Sequence, residues 1–318
     1  MTSLEALLSA ERLVRRHVGE TPLHHWPLLS RRSGAEVWVK HENHTRIGAF
    51  KIRGGLVYME RLKARKPDVP GVIAATRGNH GQSVALAAGL SGIPATIVVP
   101  HGNSVEKNKA MRALGAELIE HGHDFQEALI HARDLAGHHG LHMLASFHDD
   151  LVCGVASYGL EIFRSHDDID TVYVPIGLGS GLCGTLRARD AMASGATVVG
   201  VVAENAPCYA RSFATGAPVT TNSCDTIADG MAVRVPHDDA VSEINAGAER
   251  IVTTSEDDIR AAMRHYFTDT HNVAEGAGAA PLAALMRERD RMAGRKVVLV
   301  LSGGNIDRGL FARILQDT

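Results

Sequence analysis

Short runs of β-branched and aliphatic residues alternate with helix-length segments along most of this chain. Strands that alternate with helices form parallel sheets covered by helices on both faces. The last run, Lys296–Leu301, is almost entirely apolar, so we expect a central strand buried on both faces. The pattern predicts an α/β protein, and a length of 318 residues favours two domains. The predicted strands are 37–40, 72–75, 96–99, 117–119, 142–144, 171–174, 197–202, 251–253 and 296–301.

Charge and composition narrow the classes of partner. The formal net charge is only -3, which provides no electrostatic reason to expect nucleic acid or an anionic membrane. No apolar run approaches the roughly 20 residues that span a bilayer, and the N-terminus lacks a signal-peptide pattern. The 4 cysteines are too few and too scattered for a disulfide framework or a zinc site. We therefore expect a cytoplasmic protein with no metal.

A lysine stands between an aromatic residue and two glycines in the segment 48–55, where Phe50 precedes Lys51. In a dry pocket an amine loses its charge more easily and becomes a nucleophile toward carbonyl groups. A lysine on the surface of an amphipathic helix is the alternative interpretation, and this segment alone does not decide between the two.

The segment 76–83 follows a predicted buried strand and opens a predicted helix. Backbone amides at a helix N-terminus are unpaired and partially positive, so this turn is suited to an anion such as a carboxylate. Asn79 and His80 add side-chain donors. The alternative is an ordinary strand-to-helix turn.

A second turn, 177–184, has the spacing Gly-x-Gly-x-Gly-x-x-Gly between a strand and a helix. Closely spaced glycines allow the main chain to surround a phosphate, and the helix dipole favours the negative charge. Glu204 follows the next predicted strand, as an acid does in dinucleotide sites. The spacing leaves both a phosphate monoester and a dinucleotide open.

Ser302 follows the last predicted strand. Ligands of open α/β sheets bind beyond the carboxyl ends of the strands, so Ser302 is suited to offer a hydroxyl to a bound ring. The alternative is that Ser302 caps a following helix.

We call residues 76–83 the anion turn and residues 177–184 the phosphate turn. Together with an imine-forming lysine and a strand-end serine, these two turns describe a pyridoxal phosphate site. The chain resembles the serine/threonine dehydratase family of fold-type II pyridoxal phosphate enzymes, over nearly its whole length. Six ordered motifs carry the resemblance: Thr21-Pro22-Leu23, Lys40-His41-Glu42-Asn43, Phe50-Lys51-Ile52-Arg53-Gly54, Gly78-Asn79-His80-Gly81-Gln82, Thr226-Ile227-Ala228-Asp229-Gly230 and Ser302-Gly303-Gly304-Asn305.

The resemblance implies a fold like that of the tryptophan synthase β-chain, with two open twisted parallel sheets covered by helices on both faces. A large domain, residues 1–68 and 148–318, would bind the cofactor. A small domain, residues 69–147, would carry the substrate-carboxylate turn. The resemblance also implies a homodimer that acts on a small amino-acid substrate.

The resemblance also assigns roles to individual residues. Lys51 would attach the cofactor and then remove the α-proton of the substrate. Ser302 would face the pyridine nitrogen, and Glu275 would approach the cofactor or substrate or else cap a helix. The remaining assignments are Phe50 against the ring, Asn79 on its 3-hydroxyl, backbone amides of Gly177, Leu178, Gly179, Ser180 and Gly181 on the phosphate, and Thr76, Arg77, Gly78, Asn79 and His80 on the substrate carboxylate.

The implied reaction is β-elimination from L-threonine, L-serine or a bulkier β-hydroxy-α-amino acid, which yields a 2-oxo acid and ammonia. A neutral hydroxyl at Ser302 cannot stabilise a protonated pyridinium as an aspartate would, which favours elimination over transamination. The cofactor phosphate is the family's implied proton donor to the departing hydroxyl.

Arg77 departs from the family pattern, which has serine or another small residue there. Because a guanidinium is a poor proton acceptor, a racemase is disfavoured. We expect Arg77 either to form an outward structural ion pair or to contact the β-substituent of 3-hydroxyaspartate or phenylserine. The motifs around Lys51 and Asn79 disfavour β-replacement chemistry, and their retention disfavours a non-catalytic cofactor carrier.

Overall fold

Two separate sheets form the framework of the computed structural model, which describes residues 2–317. One sheet has six strands in the order β1-β2-β10-β7-β8-β9, and the other has four in the order β5-β4-β3-β6. The strands are β1 (Leu23–His25), β2 (Glu36–His41), β3 (Val72–Ala75), β4 (Ala95–Val99), β5 (Glu117–Glu120), β6 (His142–Met143), β7 (Thr171–Pro175), β8 (Thr197–Ala203), β9 (Arg250–Thr254) and β10 (Lys296–Leu301).

Helices connect most of the strands, as expected for parallel pairing. They are α1 (Leu4–Arg15), α2 (Pro27–Ser33), α3 (Lys51–Arg65), α4 (Asn79–Ser91), α5 (Val105–Ala113), α6 (Phe125–His139), α7 (Asp149–Ser165), α8 (Ser180–Ala191), α9 (Cys208–Thr215), α10 (Asp238–Gly247), α11 (Glu256–Thr270), α12 (Gly276–Arg287), α13 (Arg289–Met292) and α14 (Arg308–Gln316). Within residues 2–317, none of these helices combines the length and apolar character needed to cross a bilayer.

The predicted strands are confirmed with small differences at their ends, but the expectation of purely parallel sheets needs a correction. Strand β1 pairs with β2 in antiparallel register, with Leu23 opposite Lys40. The sequence pattern missed β1 because the strand has three residues and only Leu23 is partly buried. It lies at the sheet edge, where an antiparallel strand is common in otherwise parallel sheets.

Strand β10 occupies the interior position that its apolar sequence predicts. It pairs in parallel with β2 on one side and β7 on the other, and Val297 to Leu301 are fully buried. The carboxyl ends of β2, β7 and β10 therefore meet at one edge of the sheet. At this edge the phosphate turn, residues 177–184, follows β7. Ser302 follows β10 at the same edge.

The four-stranded sheet draws all its strands from residues between 72 and 143. We therefore propose the division into a small domain, residues 69–147, and a large domain, residues 1–68 and 148–318. The small domain contributes the turn between β3 and α4 to the same region as the edge of the six-stranded sheet.

Helix α3 is held against α7 by a close approach of the two backbones. A Cβ atom on Gly154 would lie 2.3 Å from the carbonyl oxygen of Arg53, and one on Gly54 would lie 2.7 Å from that of Leu151. A side chain at either glycine would force the helices apart. Gly54, in the motif around Lys51, is therefore needed for the close packing of α3 against α7 as well as for a turn.

A buried ionic cluster fixes the first turn of α3. The Arg53 guanidinium is fully buried and donates to Glu42 at 2.8 Å and to Glu161 at 2.7 Å. Lys40 also donates to Glu161, at 2.5 Å, and Thr21 donates to Glu42 at 2.6 Å. Three of the sequence motifs thus meet in one cluster that ties α3 to β2 and α7.

Candidate active site

Lys51 is the first residue of α3 and lies at the carboxyl edge of the six-stranded sheet. The amide of Phe50 donates to the carbonyl oxygen of Ser302 at 3.0 Å, which joins the start of α3 to the end of β10. The Lys51 amine lies 4.8 Å from the centre of the Phe50 ring and 3.2 Å from Oγ of Ser180. The interpretation of Lys51 as a surface lysine on a helix is therefore wrong.

The pKa of Lys51 is lowered to about 8. Burial is the main cause, because it disfavours the charged ammonium, and the carboxylate of Glu275 opposes part of this effect. An ordinary exposed lysine is almost wholly charged at neutral pH. Lys51 instead presents a substantial neutral fraction near pH 8, as a nucleophile or base requires.

The phosphate turn lies between β7 and α8. Gly179 has φ +100°, a conformation that favours glycine, and a Cβ atom there would lie 2.7 Å from Cβ of Ala240. Because α8 begins at Ser180, its first amides have no partner within the helix and are free for an anion. The turn is thus built from the predicted glycines and lies directly beside the Lys51 amine.

Two tyrosines brace this turn from behind. The Tyr158 hydroxyl donates to the carbonyl oxygen of Gly181 at 2.8 Å, and the Tyr209 hydroxyl donates to that of Leu178 at 2.9 Å. Tyr158 also packs edge-on against Phe50, with 6.1 Å between the ring centres. These contacts fix two carbonyl groups of the turn in place.

The anion turn joins β3 to α4 and includes Thr76, Gly78 and Asn79. Oγ1 of the buried Thr76 accepts from the amide of Gly78 at 3.1 Å, which shapes the turn. Helix α4 begins at Asn79, and no side chain caps its N-terminus. Its first amides are therefore available to a carboxylate.

His80 carries a buried ring nitrogen, Nε2, that has no hydrogen-bond partner among residues 2–317. Burial, together with the positive charge of Lys51, lowers the pKa of His80 to about 3. The imidazole is therefore neutral at physiological pH. It offers hydrogen bonding without adding a second positive charge next to Lys51.

Glu275 precedes α12, but its side chain makes no capping hydrogen bond. Instead Oε1 of Glu275 accepts from Nδ2 of Asn79 at 2.7 Å, and Oδ1 of Asn79 accepts from Asn305 at 2.8 Å. Glu275 is 6% exposed, and burial raises its pKa even though Lys107 and Asn79 oppose the shift. Glu275 therefore occupies the N-cap position of α12 without a capping hydrogen bond from its side chain, and its carboxyl group lies at the candidate site.

Ser302 is buried at the end of β10. The next helix, α14, begins at Arg308 and has Asp307 at its N-cap position. The interpretation of Ser302 as a helix cap is therefore also wrong. Its place next to the start of α3 follows from the hydrogen bond between its carbonyl oxygen and Phe50.

Arg77 is exposed at the anion turn. In the part of the chain that the structure describes, residues 2–317, its guanidinium forms no ion pair with a carboxylate. The structure therefore gives no support to the interpretation of Arg77 as a structural ion-pair residue. Its charge is free for a ligand.

Sequence reasoning assigned no role to three further residues of this region, namely Lys107, Asp229 and Asn305. Asp229 and Asn305 lie within quoted motifs, so their motif membership was an available signal. Lys107 lies in the first turn of α5, where a cation opposes the helix dipole. A lysine at this unfavourable position in a predicted helix is the signal that could have identified Lys107.

The side chains of the described residues were also compared with the requirements of a metal site. Across residues 2–317, no three His, Cys, Asp or Glu side chains converge in a way that could hold a metal ion. Glu204 is exposed immediately after β8.

Comparison with protein families matches residues 14–303 to a family model described as pyridoxal-phosphate dependent enzyme. The matched residues include both sheets, Lys51, the two glycine-containing turns, Glu275 and Ser302.

Individual proteins of known activity are also similar. The L-threonine ammonia-lyase of Thermotoga maritima is 36% identical over 317 residues, covering 99% of this chain and 79% of that protein. The L-threo-3-hydroxyaspartate ammonia-lyase of Saccharomyces cerevisiae is 30% identical over 311 residues, covering 98% and 95%. Maize serine racemase superimposes with a TM-score of 0.92 at 25% identity, covering 98% of this chain and 96% of that chain. This structural match confirms the predicted α/β fold of fold-type II.

Proposed function

The chain belongs to the family of pyridoxal-phosphate-dependent enzymes, and we propose that it converts a β-hydroxy-α-amino acid to a 2-oxo acid and ammonium. The observation that carries the proposal is the Lys51 amine, which lies 3.2 Å from Ser180 at the phosphate turn with a pKa of about 8. L-Threonine and L-serine are the proposed substrates. In the balanced reaction, water is lost by elimination and regained by hydrolysis, so the net change is release of ammonium.

The residues present fit this cofactor. A primary amine lies beside a turn whose free helix amides suit a phosphate, which is the pair of features that an aldehyde with a phosphate group requires. Two buried polar atoms, Nε2 of His80 and Nε2 of Gln82, have no hydrogen-bond partner among residues 2–317. Buried polar groups are nearly always paired, so these atoms suit a polar ligand.

When bound, pyridoxal phosphate would withdraw electrons from the α-carbon of the substrate and make its α-hydrogen acidic. Phe50 would pack against its ring and Asn79 would hydrogen-bond its 3-hydroxyl. Amides from Gly177 to Gly181 would hold its phosphate, and Ser302 would face its ring nitrogen.

Lys51 is the proposed base. Its neutral Nζ can accept the α-proton, and the pKa of about 8 keeps proton transfer reversible near neutral pH. The buried cluster around Arg53 and the backbone bond from Phe50 to Ser302 hold the helix end from which Lys51 projects. A fixed base at the α-carbon makes proton removal effectively intramolecular.

The turn from Thr76 to His80 is proposed to bind the substrate carboxylate. Unpaired amides at the start of α4 supply donors and partial positive charge. The neutral His80 ring adds hydrogen bonding without competing for the α-proton, because its pKa is lowered to about 3.

A second candidate substrate class is 3-hydroxyaspartate, and Arg77 is the observation that favours it. Its exposed guanidinium borders the proposed carboxylate turn and has no carboxylate partner within residues 2–317. Such a group suits the second carboxylate of this substrate. The 30% identity to a hydroxyaspartate ammonia-lyase supports the same candidate. Phenylserine is the bulkier alternative, and racemisation is disfavoured because a guanidinium is a poor base.

A substrate screen tests the proposal. Serine, threonine, 3-hydroxyaspartate and phenylserine are supplied in each configuration, and 2-oxo acid release and the configuration of the remaining amino acid are measured. The expected result is 2-oxo acid from L-threonine or L-serine. The absence of 2-oxo acid from all of them would refute the proposal, and inversion of configuration alone would favour a racemase.

We also propose a homodimer in the cytoplasm. The dimer rests on the family resemblance, and sedimentation equilibrium would measure it. All four cysteines are free, which agrees with a reducing compartment.

A further inference from the structure

Lys107 lies in the first turn of α5, at a position that opposes the helix dipole. Its backbone amide donates to Oγ of Ser104, which caps the helix, at 3.1 Å. A cation at this end of a helix is unfavourable unless nearby acids compensate for it. Lys107 is also only 7% exposed, so water cannot supply that compensation.

Carboxylates from distant parts of the chain provide the compensation. The Lys107 amine lies 3.0 Å from Oδ2 of Asp229. Burial lowers the pKa of Lys107, but the carboxylates of Glu275, Asp229 and Asp307 outweigh this effect and raise it above its ordinary value. Lys107 therefore remains charged, and its charge is directed at the large domain.

The stem of the same side chain packs against the proposed carboxylate turn. A Cβ atom on Gly78 would lie 3.0 Å from Cδ of Lys107 and 3.4 Å from its Nζ. The Lys107 side chain thus packs directly against Gly78 in the anion turn, whose amides would bind the substrate. A shift of Lys107 would therefore remove a packing contact of Gly78.

Two neighbouring contacts join the same end of α5 to the N-terminus of α14. Oγ of Ser104 donates to Oδ1 of Asp307, and the amide of Arg308 donates to Glu106 at 3.1 Å. The α5 residues belong to the proposed small domain, whereas Asp307 and Arg308 follow β10. A cavity of about 50 Å³ lies beside these contacts, and Lys107, Asp229 and Glu275 are among the residues that line it.

We propose that Lys107 is a positioning residue. It anchors α5 to Asp229 across the two proposed domains and so holds the anion turn in place at Gly78. The proposal rests on the proposed function only in that the anion turn binds the substrate carboxylate. Lys107 itself would not touch the reacting atoms.

Hydrogen exchange of the holoenzyme provides a test that is independent of turnover. In Lys107→Met, amides of residues 76–82 should exchange about tenfold faster than in the wild type, because the pair with Asp229 is lost. Lys107→Arg should stay within about threefold, since it keeps the charge. Lys109→Met is the matched control, because Lys109 is an exposed lysine on the same helix and should leave exchange unchanged. If Lys107→Met does not fold, Asp229→Asn removes the partner instead and is expected to act in the same direction.

Ligand binding provides the second measurement. L-Alanine has no β-leaving group, so its binding can be followed through the absorbance of the cofactor without turnover. Lys107→Met should weaken alanine binding and raise the KM of the substrate by about tenfold, with kcat within about threefold, as expected for lost ground-state positioning.

Unchanged exchange and unchanged alanine affinity in both Lys107→Met and Asp229→Asn would overturn the proposal. A fall in kcat at constant KM would also overturn it, because Lys107 would then act on the chemical step. If the wild type releases no 2-oxo acid from any substrate, the proposed function fails, while the exchange experiment still decides the role of Lys107.

Discussion

Nδ2 of Asn79 donates a 2.7 Å hydrogen bond to Oε1 of Glu275, and this bond joins the two sheets at the candidate site. Asn79 begins α4 beside the four-stranded sheet, whereas Glu275 precedes α12 beside the six-stranded sheet. Asn305 holds the other end of the Asn79 amide and also donates to the carbonyl oxygen of Ile47 at 2.7 Å. The network fixes the direction of the Asn79 amide and places a buried carboxyl group near Lys51.

Replacement of Glu275 should reveal the cost of its burial. Burial raises the pKa of Glu275 in the folded protein, so the folded state holds its proton more tightly than the unfolded state. Stability attributable to this group therefore falls as pH rises from the ordinary carboxyl pKa to the folded pKa, and the loss persists above it. Glu275→Gln should raise Tm relative to the wild type by more at pH 8 than at pH 4.5. An equal effect at both pH values in thermal unfolding would contradict this account.

Removal of the Lys51 amine should abolish catalysis. Lys51→Ala should lower 2-oxo acid formation by at least about 10³-fold, because the variant loses both the cofactor attachment and the base. Lys63→Ala is the control, since Lys63 is an exposed lysine on the same helix. Persistent elimination by Lys51→Ala in a coupled assay would refute the assigned role.

The lowered pKa of Lys51 should govern how fast the apoprotein takes up its cofactor. Only the neutral amine attacks an aldehyde, so the rate should rise with pH and level off above about 8. Stopped-flow absorbance at a series of pH values measures the midpoint. The carboxylate of Glu275 raises the pKa of Lys51, so Glu275→Gln should move this midpoint to lower pH. A midpoint near that of an exposed lysine, about 10.4, would contradict the burial argument.

Arg53 should be essential to stability. Arg53→Met leaves Glu42 buried without a cation, while Glu161 keeps only Lys40 and Arg15, which should lower the free energy of unfolding by about 3–5 kcal/mol. The matched control is Arg16→Met, which breaks the exposed ion pair between Arg16 and Glu60 and should cost at most about 1 kcal/mol. Denaturant titration compares the two variants, and similar losses would show that the buried cluster adds nothing specific.

Arg77 should influence substrate preference and leave the fold unaffected. If it contacts a β-substituent, Arg77→Ala should lower kcat/KM for 3-hydroxyaspartate relative to threonine by about tenfold or more. Arg133→Ala, at an exposed arginine of the same proposed domain, should leave the ratio unchanged. The same substrate ranking in Arg77→Ala and the wild type would exclude a contact with the β-substituent.

Local patterns in the sequence were sufficient for the framework of the fold and for the main parts of the site. Apolar runs identified nine of the ten strands, and β10 has the interior position that its composition predicts. Glycine spacing located the turn at which α8 begins, and the motifs located Lys51. Strand periodicity and glycine conformation are properties of a few consecutive residues, so they can be predicted without knowledge of the rest of the chain.

The direction of individual side chains was decided only by the tertiary structure. Lys51 and Arg53 are two residues apart, yet a helix turns by about 200° over that distance, so one lies at the site and the other in the ionic cluster. Glu275 occupies the N-cap position of α12, but its side chain contacts Asn79, which is 196 positions away, and makes no capping hydrogen bond. Likewise, the three acids that keep Lys107 charged come from three separate segments of the chain. Such pairings depend on how helices and loops pack in space, and burial then sets the pKa of each group, which no local pattern encodes.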